Sequence, residues 1–237
     1  MSDNWKSRTE LLLGKERMER LQNSHVLVAG LGGVGAYAAE EICRAGVGEM
    51  TIVDADTINE SNLNRQLPAL HSTLGRMKAD VMAERLKDIN PDLKLTVIKD
   101  FIRDEKTDQL LDSTHFDFVV DAIDTLSPKV FFIRACVLRG LKLVSSMGAG
   151  AKLDPEQVKI TDISKSFNCH LARMVRKKLH PLGIRSGFAV VFSGEPADEN
   201  AIIETEGEQN KLTTTGTVSY MTALFGCYLA SYVIRNI

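Results

Sequence analysis

At 237 residues, with 44% apolar and 25% charged side chains, the chain is long enough to bury one α/β core and has an ordinary globular composition. A net charge of -2 excludes a whole-molecule attraction to nucleic acid, so any such contact must come from a local patch. Cys43, Cys136, Cys169 and Cys227 lie far apart without a C-x-x-C pair, which excludes a paired-cysteine zinc site and gives no disulfide framework. The start, "MSDNWKSRTE", has no apolar signal core, so the expected location is the cytoplasm.

Taken in chain order, residues 1–22 read as a helical segment, "TELLLGKERMERL", broken at Gly14. "HVLVAG" is a short apolar run bounded by glycine, as a buried parallel strand requires, and "VGAYAAEEICRAG" reads as the helix after it, stopped at Gly46. "EMTIVD" is the next strand. Residues 75–90 predict a helix with Met82, Leu86 and Ile89 on one face, ended by Pro91. "KLTVIK", "FDFVVD" and "LKLVSS" continue the strands, with "PKVFFIRACVLRG" as the helix between the last two. Past Ser146, "VKITD" and "GFAVVF" read as further strands. The uncharged segment Leu212–Ile234 is long enough to span a bilayer, but its threonines, serines and glycines make a buried helix or a subunit interface the favoured reading. The pattern predicts an α/β fold: a Rossmann-like, doubly wound, mostly parallel sheet with additional C-terminal strands and a helix. One domain, 1–237, is expected to hold a nucleotide-binding core at 24–146 and a substrate and dimer region at 147–237.

Gly30, Gly32 and Gly35 stand at G-x-G-x-x-G spacing, with Gly33 between them, after a strand and before a helix. That arrangement allows a tight turn, close approach of backbone to phosphate, and helix amides aimed at an anion. Asp54, at the end of the next strand, suits a ribose hydroxyl of either NAD or ATP, so the turn alone leaves both open. The stretch "DADTINESNLNRQ" adds Asp56, Asn62, Arg65 and Gln66; Lys78 follows at a helix start and "DAID" supplies Asp121 and Asp124. A cation at a helix N-terminus opposes the dipole, so Lys78 calls for an anion nearby. Arg65 and Lys78 are candidates for holding a triphosphate, and Asp124 for a magnesium ligand. The bland alternative makes Arg65 a surface charge, Lys78 a solvated helix residue and Asp124 a helix cap.

Together, "GLGGVG", "DADTINESNLNRQ", "GRMKADVMAERLKDINP" and "DAID" resemble the adenylyltransferases related to ubiquitin-activating enzyme, in the right order and over most of the chain. The resemblance implies ATP rather than NAD, and transfer of AMP to a carboxylate with Mg2+ bound through ATP at Asp124. It implies an ATP site of Gly30, Gly32, Gly33, Gly35, Asp54, Asp56, Asn62, Arg65, Gln66, Lys78 and Asp124, with Arg65, Lys78 and Asp124 catalytic. Arg8 resembles an arginine that in relatives reaches the neighbouring subunit's ATP, which implies a homodimer. The sulfur-carrier branch usually has two C-x-x-C pairs, which this chain lacks. "SSMGAGAKLDPEQVKITDISKS", "LARMVRKKLHPLGI" and "TGTVSYMTALFG" instead make the whole similar to the tRNA threonylcarbamoyladenosine dehydratases. These imply a tRNA substrate whose threonyl carboxylate is adenylated and then cyclised.

From Ser164 to Arg185 there are six basic residues and no acid: Lys165, Arg173, Arg176, Lys177, Lys178 and Arg185. "LARMVRKKL" at helical spacing turns Leu171, Val175 and Leu179 inward and the cations outward, a candidate tRNA-backbone contact or else a solvated helix face. The cysteines and the histidines at 25, 71, 115, 170 and 180 read as structure, with Cys169 singled out as a candidate sulfur acceptor. Two alternatives stay open. One is activation of a ubiquitin-like sulfur-carrier protein, and the other a non-catalytic tRNA or sulfur-relay adaptor working with a cysteine desulfurase.

Overall fold

The computed structural model describes residues 4–103, 105–204 and 213–237. In chain order come α1 (Ser7–Leu13), α2 (Lys15–Gln22), β1 (His25–Ala29), α3 (Gly35–Arg44), β2 (Glu49–Val53), α4 (Lys78–Ile89) and β3 (Lys94–Ile98). Next are α5 (Glu105–Asp112), β4 (Phe118–Asp121), α6 (Leu126–Leu138), β5 (Leu143–Ser146), β6 (Val158–Asp162), α7 (His170–Leu179) and β7 (Ala189–Ser193). A small hairpin, β8 (Ile202–Glu204) and β9 (Thr213–Thr215), precedes the last helix, α8 (Ser219–Asn236).

Seven strands form one sheet in the order β3-β2-β1-β4-β5-β7-β6, parallel throughout except that β6 runs antiparallel to β7. This is the doubly wound architecture expected, with the additional C-terminal strands and helix in place. Alternation along the buried strands sends side chains to two cores. Val26, Val28, Met50 and Ile52 join α3, α4 and α8 on one face. Leu27, Ala29 and Val119 join α5, α6 and α7 on the other.

Some elements differ from the sequence reading. α5 was missed, because "EKTDQLLD" offers only Thr107, Leu110 and Leu111 to the core, too few to set a period. The helix expected over 75–90 begins at Lys78, since Gly75 takes a left-handed φ of 79° and residues 57 and 77 form a β-bridge. Of the uncharged C-terminal segment, Leu212 lies outside the described residues; the rest supplies β9 and α8. Among the described residues no helix is long and apolar enough to cross a membrane. α8 instead buries Met221, Phe225, Leu229, Ala230 and Val233 against α3 and the sheet.

The α3–α8 contact requires a glycine. A Cβ at Gly226 would stand 2.6 Å from both Tyr37 Cβ and the Val34 carbonyl oxygen. Because the obstruction is largely backbone, Gly226→Ala is expected to cost about 1–3 kcal/mol and lower Tm by several degrees in calorimetry. An unchanged Tm would contradict this seating of α8.

Candidate nucleotide site

β1 lies between β2 and β4, where the strand order reverses, and a doubly wound sheet places its ligand crevice at that switch point. Pairing sets Ala29 level with Val53 on one side and Asp121 on the other, so the residues that follow, Gly30, Asp54 and Ala122, meet at the strand ends. Gly30 has φ 90°, and a Cβ there would fall 2.8 Å from the Ala122 carbonyl oxygen. A Cβ on Gly35 would fall 1.8 Å from the Gly30 carbonyl oxygen, so α3 can start directly on the turn only with glycine at both positions. Among the described residues no side chain caps the N-terminus of α3; Ala36 N donates to Gly32 O at 3.3 Å, and a helix start without a side-chain cap suits an anion.

Asp54 grips this turn. Its Oδ2 accepts from Leu31 N at 2.6 Å and its Oδ1 from Asp56 N at 2.8 Å. Burial raises the Asp54 carboxyl above the ordinary 3.8, against the downward pull of Lys78 and the two amides. Lys78 is only 5% exposed, and its Nζ donates to Asp56 Oδ2 at 2.8 Å, so the anion its position called for is Asp56. Lys78 N also donates to Asp56 O at 3.0 Å and Ile58 N to Arg76 O at 2.9 Å, which tie the start of α4 to the segment after β2. The solvated-helix reading of Lys78 is thereby ruled out.

Asn62 is buried and its Oδ1 accepts from Asn59 N at 3.1 Å, closing a turn just before Arg65 and Gln66, which reach the glycine loop. Arg65 Cγ lies 3.3 Å from where a Gly33 Cβ would sit, and its Nη1 donates to Ser61 O and Asn64 Oδ1 at 3.0 and 2.8 Å. Gln66 Nε2 lies 3.8 Å from the corresponding Gly32 position, while its buried Oε1 finds no hydrogen-bond partner among the described residues. A buried acceptor left open beside a glycine turn suits a ligand there. Thr222 of α8 also closes to 3.2 Å on the Gly33 position, and Asn64 Nδ2 donates to Thr217 O at 3.2 Å. The C-terminal segment is thus a wall of the site, which the sequence did not reveal.

Past β4, Asp124 is exposed on the loop that leads to α6, whose N-cap is Thr125 rather than Asp124. Asp121, by contrast, is fully buried and pairs at 2.8 Å with Nζ of Lys129, itself 0% exposed. Sequence reasoning missed this pair; the available signal was a lysine embedded in the apolar run "KVFFI". Arg8 lies exposed on α1, which packs on α2 and buries none of its own side chains among the described residues.

The basic segment reaches the same edge of the sheet. Asn168 Nδ2 donates to Gly194 O at 2.9 Å, just past the end of β7, and Lys152 Nζ donates to Asn168 O at 3.0 Å. The N-terminus of α7 therefore sits near the loop that follows β5. A cavity of about 320 Å³ opens there, lined by Asn168, Cys169, His170, Arg173 and Arg176. Lys165, Arg173, Lys177, Lys178 and Arg185 are exposed. Arg176 corrects the expectation that every cation faces solvent: it is half-buried, and its Nη1 donates to Ser166 O at 3.0 Å, to Ile163 O at 3.3 Å and to Ser166 Oγ. Leu171 is only half-buried, with Ala172, Val175 and Leu179 forming the inward face. Cys169 is buried at the α7 N-cap rather than presented on an open loop. Among the described residues no group of three or more His, Cys, Asp or Glu is arranged to hold a metal.

Strand order, glycine turn and acidic strand end define a nucleotide-binding domain of the doubly wound class. A profile of the ThiF family matches residues 6–237, and the chain belongs to that family. It is 46% identical over 189 residues to tRNA threonylcarbamoyladenosine dehydratase of Bacillus subtilis, covering 80% of this chain and 74% of that protein. The Escherichia coli protein of the same name is 38% identical over 194 residues, covering 81% and 70%. The crystal structure of the E. coli tRNA N6-threonylcarbamoyladenosine dehydratase in complex with ATP superposes with a TM-score of 0.88 at 33% identity, covering 99% of this chain and 95% of that one. Its AMP complex gives 0.88 at 34% identity, with the same coverage.

Were Asp54 to bind a ribose hydroxyl, its ionised form would be the stronger acceptor, since both oxygens already take backbone amides. Its raised pKa predicts that nucleotide affinity is full near neutral pH and declines as the pH falls, from above the ordinary carboxylate value of 3.8. Titration calorimetry with ATP across pH measures this, and Asp54→Asn is expected to weaken binding and flatten the profile. A steep profile retained in Asp54→Asn would assign the titration to another group.

Proposed function

We propose that this protein is an ATP-dependent tRNA threonylcarbamoyladenosine dehydratase, which adenylates the threonyl carboxylate of the modified adenosine beside the anticodon and cyclises it with release of AMP. The observation that carries the reading is the near full-length likeness to an ATP-bound dehydratase, in a chain whose glycine turn leaves no space for a Cβ at Gly30 or Gly35. In this reading the first amides of α3 hold phosphate, Asp54 the ribose, and Gly32, Gly33, Asn62 and Gln66 line the nucleotide.

A carboxylate oxygen of the substrate attacks the α-phosphorus of ATP, and the bond from that phosphorus to the bridging oxygen breaks, releasing pyrophosphate. The carbamoyl group then closes on the activated carbonyl; AMP leaves with the former carboxylate oxygen and a proton is lost from the nucleophile. One water is thus removed from the substrate at the expense of ATP. Arg65 neutralises negative charge that builds on the phosphates, and Lys78, held by Asp56, does the same from the start of α4. In this reading Asp124, an exposed carboxylate on the loop after β4, holds Mg2+ together with the nucleotide, a coordination by one carboxylate and phosphates that suits this ion. When bound, Mg2+ supplies charge neutralisation on the leaving pyrophosphate. No cysteine nucleophile enters this chemistry.

The reading extends to a tRNA contact through the exposed cations of α7 and its flanks, a helix whose N-terminus lies at the ligand edge of the sheet. It also extends to a cytoplasmic homodimer in which Arg8 reaches the neighbouring copy's nucleotide. Leu11 and Leu12 of α1 are 77% and 84% exposed, an apolar surface that a second copy would cover.

Mass spectrometry of nucleosides from threonylcarbamoyl-modified tRNA, incubated with the protein, Mg2+ and ATP, tests the reading. The expected product is one water lighter and absent without ATP, and Asp124→Ala slows its formation by about 10²–10³-fold. An unchanged nucleoside with ATP bound would overturn the tRNA reading and make a carrier-protein carboxylate the next acceptor to try.

A further inference from the structure

We propose that Lys129, paired with Asp121, is a positioning residue that sets the loop from which Asp124 meets the metal–nucleotide; this rests on the assignment of Asp124 made above. Both side chains are 0% exposed, with Lys129 Nζ 2.8 Å from Asp121 Oδ2. Packing stability does not explain such a pair. Two charges removed from water recover their lost hydration only through good geometry, and apolar side chains of the same volume commonly serve a core equally well. What distinguishes the pair is where its bonds go.

Lys129 Nζ donates to Ile123 O at 2.8 Å, while Asp121 Oδ1 accepts from Ile123 N at 3.1 Å. Both backbone polar groups of the residue before Asp124 are therefore held by the pair. Ile123 O belongs to the peptide unit whose nitrogen is that of Asp124, so fixing its direction fixes how the Asp124 backbone begins. Ser145 Oγ donates to Asp121 Oδ2 at 2.6 Å and braces the pair from β5. On the far side of Asp124, Thr125 O accepts from Lys129 N at 3.1 Å. Lys129 thus grips the loop on both sides of an exposed aspartate, through its ammonium before it and its own amide after it. Ala122, in the same loop, is the residue on which Gly30 closes, with 2.8 Å from its carbonyl oxygen to a Gly30 Cβ position. One buried ammonium is thus tied to the backbone on which Asp124 stands.

The role is that of an outer partner to a metal ligand, whose loss typically weakens metal affinity by about 10–100-fold. Removing only one charge would strand the other in the core, so the informative variant is the neutral pair Lys129→Met with Asp121→Asn, close in volume and without net charge. ATP binding is measured by calorimetry with and without Mg2+, in the wild-type protein, the neutral pair, Asp124→Asn, and the triple combination. The neutral pair is expected to lose about tenfold of the Mg2+-dependent gain in ATP affinity while its affinity without Mg2+ stays within about twofold. Added to Asp124→Asn, it should change nothing further beyond about twofold, because the two act through one contact. Equal weakening with and without Mg2+, or full multiplicative loss in the triple variant, would overturn the proposal and leave the pair a core element. Wild-type affinity indifferent to Mg2+ would overturn the Asp124 assignment beneath it. Because this readout uses no tRNA, it is independent of whether the nucleoside is cyclised.

Discussion

The site depends on one close approach. The end of β1 meets the loop after β4 so tightly that Gly30 has only 2.8 Å between its Cβ position and Ala122 O, and α3 meets the same turn with 1.8 Å between the Gly35 Cβ position and Gly30 O. Backbone occupies the space that side chains normally fill, and that brings the first amides of a helix to the ends of three adjacent strands. The remaining geometry follows. Asp54 can reach the Leu31 amide at 2.6 Å because strand pairing has already set Val53 beside Ala29, and Lys78 can reach Asp56 because the segment after β2 folds back onto the start of α4.

Charge is distributed with the same economy. The molecule is slightly acidic overall, at -2, yet its basic helix α7 starts at the edge of the sheet where the strands end. The loop after β5 links the two regions. Lys152, 3% exposed and held below its ordinary pKa by burial, donates to Asn168 O beside α7, and Ala151 N donates to Gly216 O, in the segment that leads to α8. Thr222 of α8 in turn closes on Gly33. Nucleotide turn, C-terminal helix and the start of the basic helix are therefore linked through the loop after β5.

Much of this was legible in the residues, and the limits have physical causes. The glycine turn, the strand runs and the Asp54 position are local patterns, each complete within about ten residues, and local patterns survive folding. α5 was not legible because its short apolar face carries no periodicity, and the β8–β9 hairpin because three-residue strands carry almost none. Lys129 looked like one lysine among many; its meaning lies in Asp121 and Ser145, which a sequence does not place beside it. Arg176 turned inward for a similar reason. The carbonyls it satisfies belong to Ile163 and Ser166, and only the fold brings them against α7. Polar groups whose partners are distant in sequence are the class of residue that spacing cannot assign.

The central claim, that ATP activates the threonyl carboxylate by adenylation, has a direct isotopic test. Threonylcarbamoyl-modified tRNA labelled with 18O in both carboxylate oxygens would be turned over with Mg2+ and ATP, and the released AMP, pyrophosphate and phosphate analysed by mass spectrometry. Attack on the α-phosphorus predicts a single 18O in AMP and none in pyrophosphate or phosphate, with the other label kept in the cyclised nucleoside. Label in phosphate, or AMP without label, would contradict the account.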